Sequence, residues 1–103
     1  MKSVTINNTK YFFKKLTWFD ILGDSTISSE NEFDNMKCAE IVTEAYIYDI
    51  FEDDGREFVR TFASYQVKDN EFGFGDRNCY PMEVFNKRSQ KAIREASRLT
   101  LKG

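Results

Sequence analysis

Asp54-Gly55, set between two runs rich in Val, Ile, Tyr, Phe and Thr, limits what this chain can fold into more than any other feature. A two-residue loop of type I′ needs φ > 0 at both central positions, so an Asp-Gly pair between β-forming runs predicts a hairpin. Around that loop, residues 39–67 lay out as two strands. Asp53 then faces Arg56, Phe51 faces Phe58, Ile50 faces Val59, Asp49 faces Arg60 and Ile47 faces Phe62. Glu52 opposite Glu57 is the repulsive pair. Aromatic and opposite-charge cross-strand pairs are each worth about 0.2–1 kcal/mol, so the favourable set outweighs one like-charge pair near the tip. Along the first strand Ile41, Ala45 and Ile47 share one face, and Val42, Tyr46, Tyr48 and Ile50 share the other. Side chains alternate along a strand, so both faces of this one require cover.

The remaining elements follow from local chemistry. Residues 3–6 and 10–19 are rich in β-branched and aromatic side chains, and Asn7-Asn8-Thr9 supplies turn chemistry between them, which predicts a first strand pair. Ser29, followed three residues later by Glu32, forms a capping box ahead of Phe33 and predicts a short inserted helix near residues 30–36. Residues 68–78, with Gly73 and Gly75 among polar side chains, read as a turn or a bulged strand. Pro81 suits a helix start, and from Phe85 the apolar period becomes helical: Phe85, Ala92, Ile93, Ala96 and Leu99 gather on one side. A C-terminal helix near residues 83–100 is expected. The fold class is therefore mainly β with α, an α+β arrangement built on a small bent antiparallel sheet or partly open barrel, with an open sheet carrying the helix on one face as the alternative.

A chain of 103 residues, 41% hydrophobic and 31% charged, suits one domain over residues 1–103, with a core large enough to fold without a metal or disulfide staple. It carries no apolar run near the roughly 18 residues of a membrane span and no signal-peptide pattern at its start, so a cytoplasmic location is expected. Two cysteines, Cys38 and Cys79, and no histidine argue against a structural zinc site and favour free thiols. Asp20 with Asp24, and Glu52 with Asp54, are carboxylate pairs of the kind that acid-base or cation chemistry uses, but neither has motif-level spacing. There is no nucleophile elbow, and Gly73-Phe74-Gly75 is too short for a phosphate loop. The expectation is a non-enzymatic protein that takes no cofactor or metal.

Charge is unevenly placed. The net charge is −2, yet residues 82–103 hold six basic and two acidic side chains, a net of +4, which leaves −6 on residues 1–81. Lys87, Lys91, Arg94, Arg98 and Lys102 recur at helical spacing and form a basic stripe. Phosphates of a nucleic acid are one partner for such a stripe; a solvated helix face, with docking on the acidic body as a further option, is the stronger explanation, and the low isoelectric point speaks against a dedicated binder. Asp20, Asp24, Glu30, Glu32 and Asp34 follow one another with no intervening Lys or Arg. Clustered acid of this kind captures basic protein surfaces or imitates nucleic acid, although Glu30 and Glu32 also suit the first turn of a helix. A homo-oligomer joined through an exposed edge strand is a further expectation.

The succession Trp18-Phe19-Asp20-Ile21, residues 29–33, Ile41-Val42-Thr43, Tyr46-Ile47-Tyr48, Phe62-Ala63-Ser64 and Gly75-Asp76-Arg77 up to Pro81 resembles that of short uncharacterised proteins encoded by bacteriophages. The basic tail here is longer than in that pattern. The resemblance implies a compact, SH3-like curved sheet and a phage accessory role in the host cytoplasm, and it carries no catalytic residue across. Together with the acidic segment it leads to the expectation of a small binding protein that occupies and inhibits a host defence or regulatory protein. A nucleic-acid-binding accessory protein using Lys87, Lys91, Arg94 and Arg98 is the alternative.

Overall fold

The computed structural model describes residues 1–100. The elements in chain order are β1 (Ser3–Ile6), β2 (Thr9–Asp20), α1 (Glu30–Asp34), β3 (Ala39–Asp53), β4 (Arg56–Phe62), β5 (Ser64–Lys68), β6 (Glu71–Gly75), β7 (Asn78–Pro81), a 3₁₀ turn (Met82–Val84) and α2 (Lys87–Leu99). The main sheet is antiparallel with order β1-β2-β3-β4-β7, and β5 with β6 makes a separate ribbon. The fold is α+β and mainly β. Its sheets do not close into a barrel, because β1 and β7 remain as free ends of the strand order.

Three hairpins turn on two-residue loops with positive φ at both positions: Asn7-Asn8 (48° and 64°), Asp54-Gly55 (50° and 74°) and Asp69-Asn70 (52° and 64°). These are the residue types that reach the left-handed region at least cost. The third loop relocates the turn expected within residues 68–78: the chain reverses at Asp69-Asn70, and both glycines lie inside β6. Gly75 approaches Ser64 closely: a Cβ on it would crowd Ser64 Oγ and the hydroxyl would have to turn away.

The central hairpin keeps the expected pairs from Asp53↔Arg56 to Asp49↔Arg60, then shifts. A bulge at Tyr48 sets Ile47 opposite Thr61 and Tyr46 opposite Phe62, in place of Ile47 opposite Phe62. One extra residue also reverses the alternation, so Ile50 packs with Ile47 rather than with Tyr46 and Tyr48. The second strand ends at Phe62 instead of Val67, because residues 64–68 leave the sheet to pair with β6.

The C-terminal helix starts later than expected. Pro81 precedes the 3₁₀ turn, Phe85 is extended (φ −82°, ψ 145°) and bridges Trp18, and Asn86 caps α2 by accepting the Ser89 N–H at 2.8 Å. Asn is a far better cap than any residue near 83, and Phe85 must be extended to lie along β2. α2 then presents Ser89, Ile93 and Ala96 to the sheet, while Leu99 is exposed. Lys102 and Gly103 lie outside the described residues.

The two faces of the sheet carry different covers. On one, Phe12, Leu16, Ile47, Val59, Tyr80 and Met82 pack beneath Phe85, Ile93 and Ala96. On the other, Ile6, Tyr11, Tyr46 and Phe62 form a second cluster, into which the β5–β6 ribbon delivers Phe74. The Phe74 ring lies 4.9 Å from Phe62, 5.2 Å from Tyr48 and 5.9 Å from Tyr11, each edge-on, the geometry that ring quadrupoles favour.

Candidate functional site

β2 and β3 run past both covers. Their pairing continues from Phe13↔Tyr46 through Trp18↔Ile41 to Asp20↔Ala39, but the last side chains held by neighbours are those of Trp18 and Thr43. The Trp18 indole N–H donates to Thr43 Oγ1 at 2.9 Å, and its ring meets Tyr80 edge-on at 5.1 Å. Beyond that point every residue from Phe19 to Cys38 is exposed. The molecule is correspondingly long: its greatest extent is 58 Å and its radius of gyration 17.0 Å, against about 13 Å for a compact chain of 100 residues.

This projecting arm holds Phe19, Ile21, Leu22, Ile27, Phe33, Met36 and Val42 in the open. Ile21 is 87% exposed and Phe33 68%, so among the described residues neither is covered. α1 buries none of its residues. Leu22, Phe33 and Met36 line a groove of about 490 Å³ together with Asp24 and Glu32. Contiguous exposed apolar surface rimmed by polar groups is the usual mark of a contact surface.

The arm is also acidic. Residues 20–40 contain six carboxylates and one lysine, a net of −5. All five acids singled out in the sequence lie here and are exposed: Asp20 at the end of β2, Asp24 in the connecting loop, and Glu30, Glu32 and Asp34 on α1. Asp20 Oδ1 accepts the Ile21 N–H at 2.8 Å. Asp24 Oδ1 accepts from the Thr26 N–H at 2.9 Å and the Thr26 hydroxyl at 2.7 Å, and these bonds hold its carboxyl below the ordinary carboxylate range. The capping box forms: the Ser29 hydroxyl accepts the Glu32 N–H at 3.1 Å and donates to Glu32 Oε1 at 3.2 Å. Local bonds of this kind fix the carboxylates in place while their remaining lone pairs face solvent. Among the described residues no three acids or thiols converge as metal ligands would, and Cys38 and Cys79 are free and exposed.

The basic residues lie on α2, whose first turn is bonded to Thr17 of β2 and whose later turns reach Lys14. Arg94 is committed to the body: its guanidinium donates to both oxygens of Glu57 at 2.8 and 3.0 Å, which lowers the Glu57 carboxyl and raises Arg94. Lys14 of β2 donates to Glu95 of α2 at 3.2 Å. Lys87, Lys91 and Arg98 are exposed and make no ion pair with a described residue. A further groove of about 450 Å³ brings Arg60 and Arg77 beside Tyr48, Phe62 and Phe72, but Asp49 already holds Arg60 in a two-pronged pair. Among the described residues no helix is long and apolar enough to cross a membrane.

The acids of the arm are legible from spacing alone. Its apolar residues are not, because Ile21, Leu22, Ile27, Phe33 and Met36 follow neither a strand nor a helix period, and sequence shows what is apolar without showing what covers it. That absence of period was the available signal. Comparison with protein-family models, with curated proteins and with solved structures finds no match for this chain.

Proposed function

We propose that this chain is a non-enzymatic binding protein whose projecting arm, residues 19–42, captures a basic surface of a partner protein. The observation that carries the reading is the run of exposed apolar side chains, Ile21, Leu22, Ile27, Phe33 and Met36, on a segment that the rest of the fold leaves uncovered. The net of −5 over residues 20–40 supplies the partner's chemistry, since clustered acid steers and selects cationic surfaces. Asp20, Asp24, Glu30, Glu32 and Asp34 act in recognition and on-rate, and the apolar residues supply the contact area. The setting of a phage accessory protein inhibiting a host defence or regulatory protein rests on the resemblance stated above.

The second reading, nucleic-acid contact through α2, draws on exposed Lys87, Lys91 and Arg98; the Glu57 partner already occupies Arg94. One experiment separates the two. Tagged chain is used to recover partners from bacterial lysate, with and without nuclease, beside the variants Ile27→Ser with Phe33→Ser and Lys87→Glu with Lys91→Glu. The arm reading predicts a protein partner that survives nuclease and is lost only with the apolar pair. Recovery of nucleic acid that disappears only with the lysine pair, and weakens steeply with salt, transfers the function to α2.

A further inference from the structure

Resting on that protein-binding reading, we infer that the outer edge of β3 over residues 40–44 is a strand-docking site, and that its occupant is an extended partner segment alternating Lys or Arg with apolar residues. The backbone bonding sets the direction of each group. Phe13 donates its N–H to Lys2, Thr17 N–H is received by Ser89 Oγ at 2.8 Å, and the Thr17 carbonyl accepts the Asn86 N–H at 3.0 Å. Odd positions of β2 therefore point away from β3, and even positions point toward it. Given the pairs Leu16↔Thr43 and Trp18↔Ile41, Ile41 and Thr43 bond β2 while Glu40, Val42 and Glu44 turn their N–H and C=O groups outward.

β4 is the neighbour that should receive those groups, and it stops at Phe62, opposite Tyr46. From Ser64 the chain pairs with β6 instead. Among the described residues, Glu40, Val42 and Glu44 make no backbone bond on their outer side. An unpaired row on a strand is a template for another chain.

Charge selects the occupant. In the two-fold register that uses the whole edge, a second copy would set Glu40 opposite Glu44 of its mate twice over, and directly opposed like charges destabilise a ladder. A strand with Lys or Arg at those positions meets the same carboxylates favourably. Val42 and Phe19, both exposed on the face shared with Glu40 and Glu44, offer apolar contact between the charges.

The geometry supplies its own test. The Val42 N–H points outward, so Val42→Pro removes a docking donor without breaking a bond of the fold, and proline is tolerated at such edge positions. A display library of random nine-residue peptides is selected against the full chain. The expected result is enrichment of peptides alternating basic and apolar residues, whose binding slows hydrogen exchange at Glu40, Val42 and Glu44 and weakens at least tenfold in Val42→Pro. Glu40→Lys with Glu44→Lys should reverse the preference toward acidic peptides, and this pair decides the matter if the proline variant does not fold. Absence of enrichment, enriched peptides without basic residues, or unchanged binding to the variants overturns the inference. A lysate partner lost with Ile27→Ser and Phe33→Ser but retained by Val42→Pro would leave the arm reading standing and remove the edge.

Discussion

The same two strands, β2 and β3, pass through two environments. Between Tyr11 and Leu16, and opposite them between Ala45 and Ile47, side chains on both faces are buried, under α2 on one side and against Phe74 on the other. Three residues further on along each strand, Phe19 and Val42 have the same β-forming character and are open to water. Residue type is therefore not what separates the halves. The covers are short: α2 begins against Thr17 of β2 and runs back toward Lys14, away from the arm, and the β5–β6 ribbon contributes Phe74. Strand propensity builds the ladder in both halves, whereas burial, and so most of the stability, accrues only where a second layer exists.

Paired substitutions sharpen the contrast. Phe62→Ala removes a ring packed against Tyr11, Tyr46 and Phe74, and should cost about 3–5 kcal/mol in urea unfolding. Phe33→Ala on the arm should stay within about 0.5 kcal/mol of the parent, as surface changes do. Equal losses would erase the distinction between the halves.

Hydroxyls provide a second pair. Ser89 is buried and accepts the Thr17 N–H, so Ser89→Ala strands that donor and should cost about 1–3 kcal/mol. Ser29→Ala deletes a cap as well, but α1 buries nothing and its loss should leave the global unfolding midpoint in place. Thr61 makes the opposite prediction. Its hydroxyl is buried with no hydrogen-bond partner among the described residues, and Thr61→Val, which keeps the shape, should raise stability by about 1 kcal/mol.

The smallest effect concerns how α2 is held. Arg94 keeps the Glu57 carboxyl below its ordinary value, so the folded pKa is lower than the unfolded one. The contribution is present above the ordinary glutamate range and is lost as pH falls through the folded value. Both partners are exposed, which limits its size and makes it sensitive to salt. The urea midpoints of the parent and Glu57→Gln should differ slightly at neutral pH and converge in acid; a gap that persists in acid would assign the difference to something other than charge.

Much of the fold was legible because it is written in local chemistry. Asp54-Gly55 fixed one hairpin and Asn7-Asn8 another, through the left-handed tolerance of those residues, and Ser29 with Glu32 marked the start of α1. Asp69-Asn70 has the same chemistry but was masked by the nearby glycines 73 and 75, which lie inside β6 rather than at the turn. The bulge at Tyr48 adds one residue of ordinary composition, so nothing in the sequence announced that Ile50 would change faces. The acidic members of the candidate site could be read from spacing. Its apolar members could not, since their exposure depends on how far along β2 and β3 the covering elements reach.

The central claim is that the arm serves contact and the covered half serves folding. Asp20 pairs with Ala39, so residues 21–38 can be replaced by Asn-Gly, a two-residue loop suited to that register. Natural and shortened chains, both shown to unfold cooperatively in urea, would be compared for partner recovery from nuclease-treated bacterial lysate. The account predicts a stoichiometric protein on the natural chain and none on the shortened one. Equal recovery of the same protein by both would contradict it.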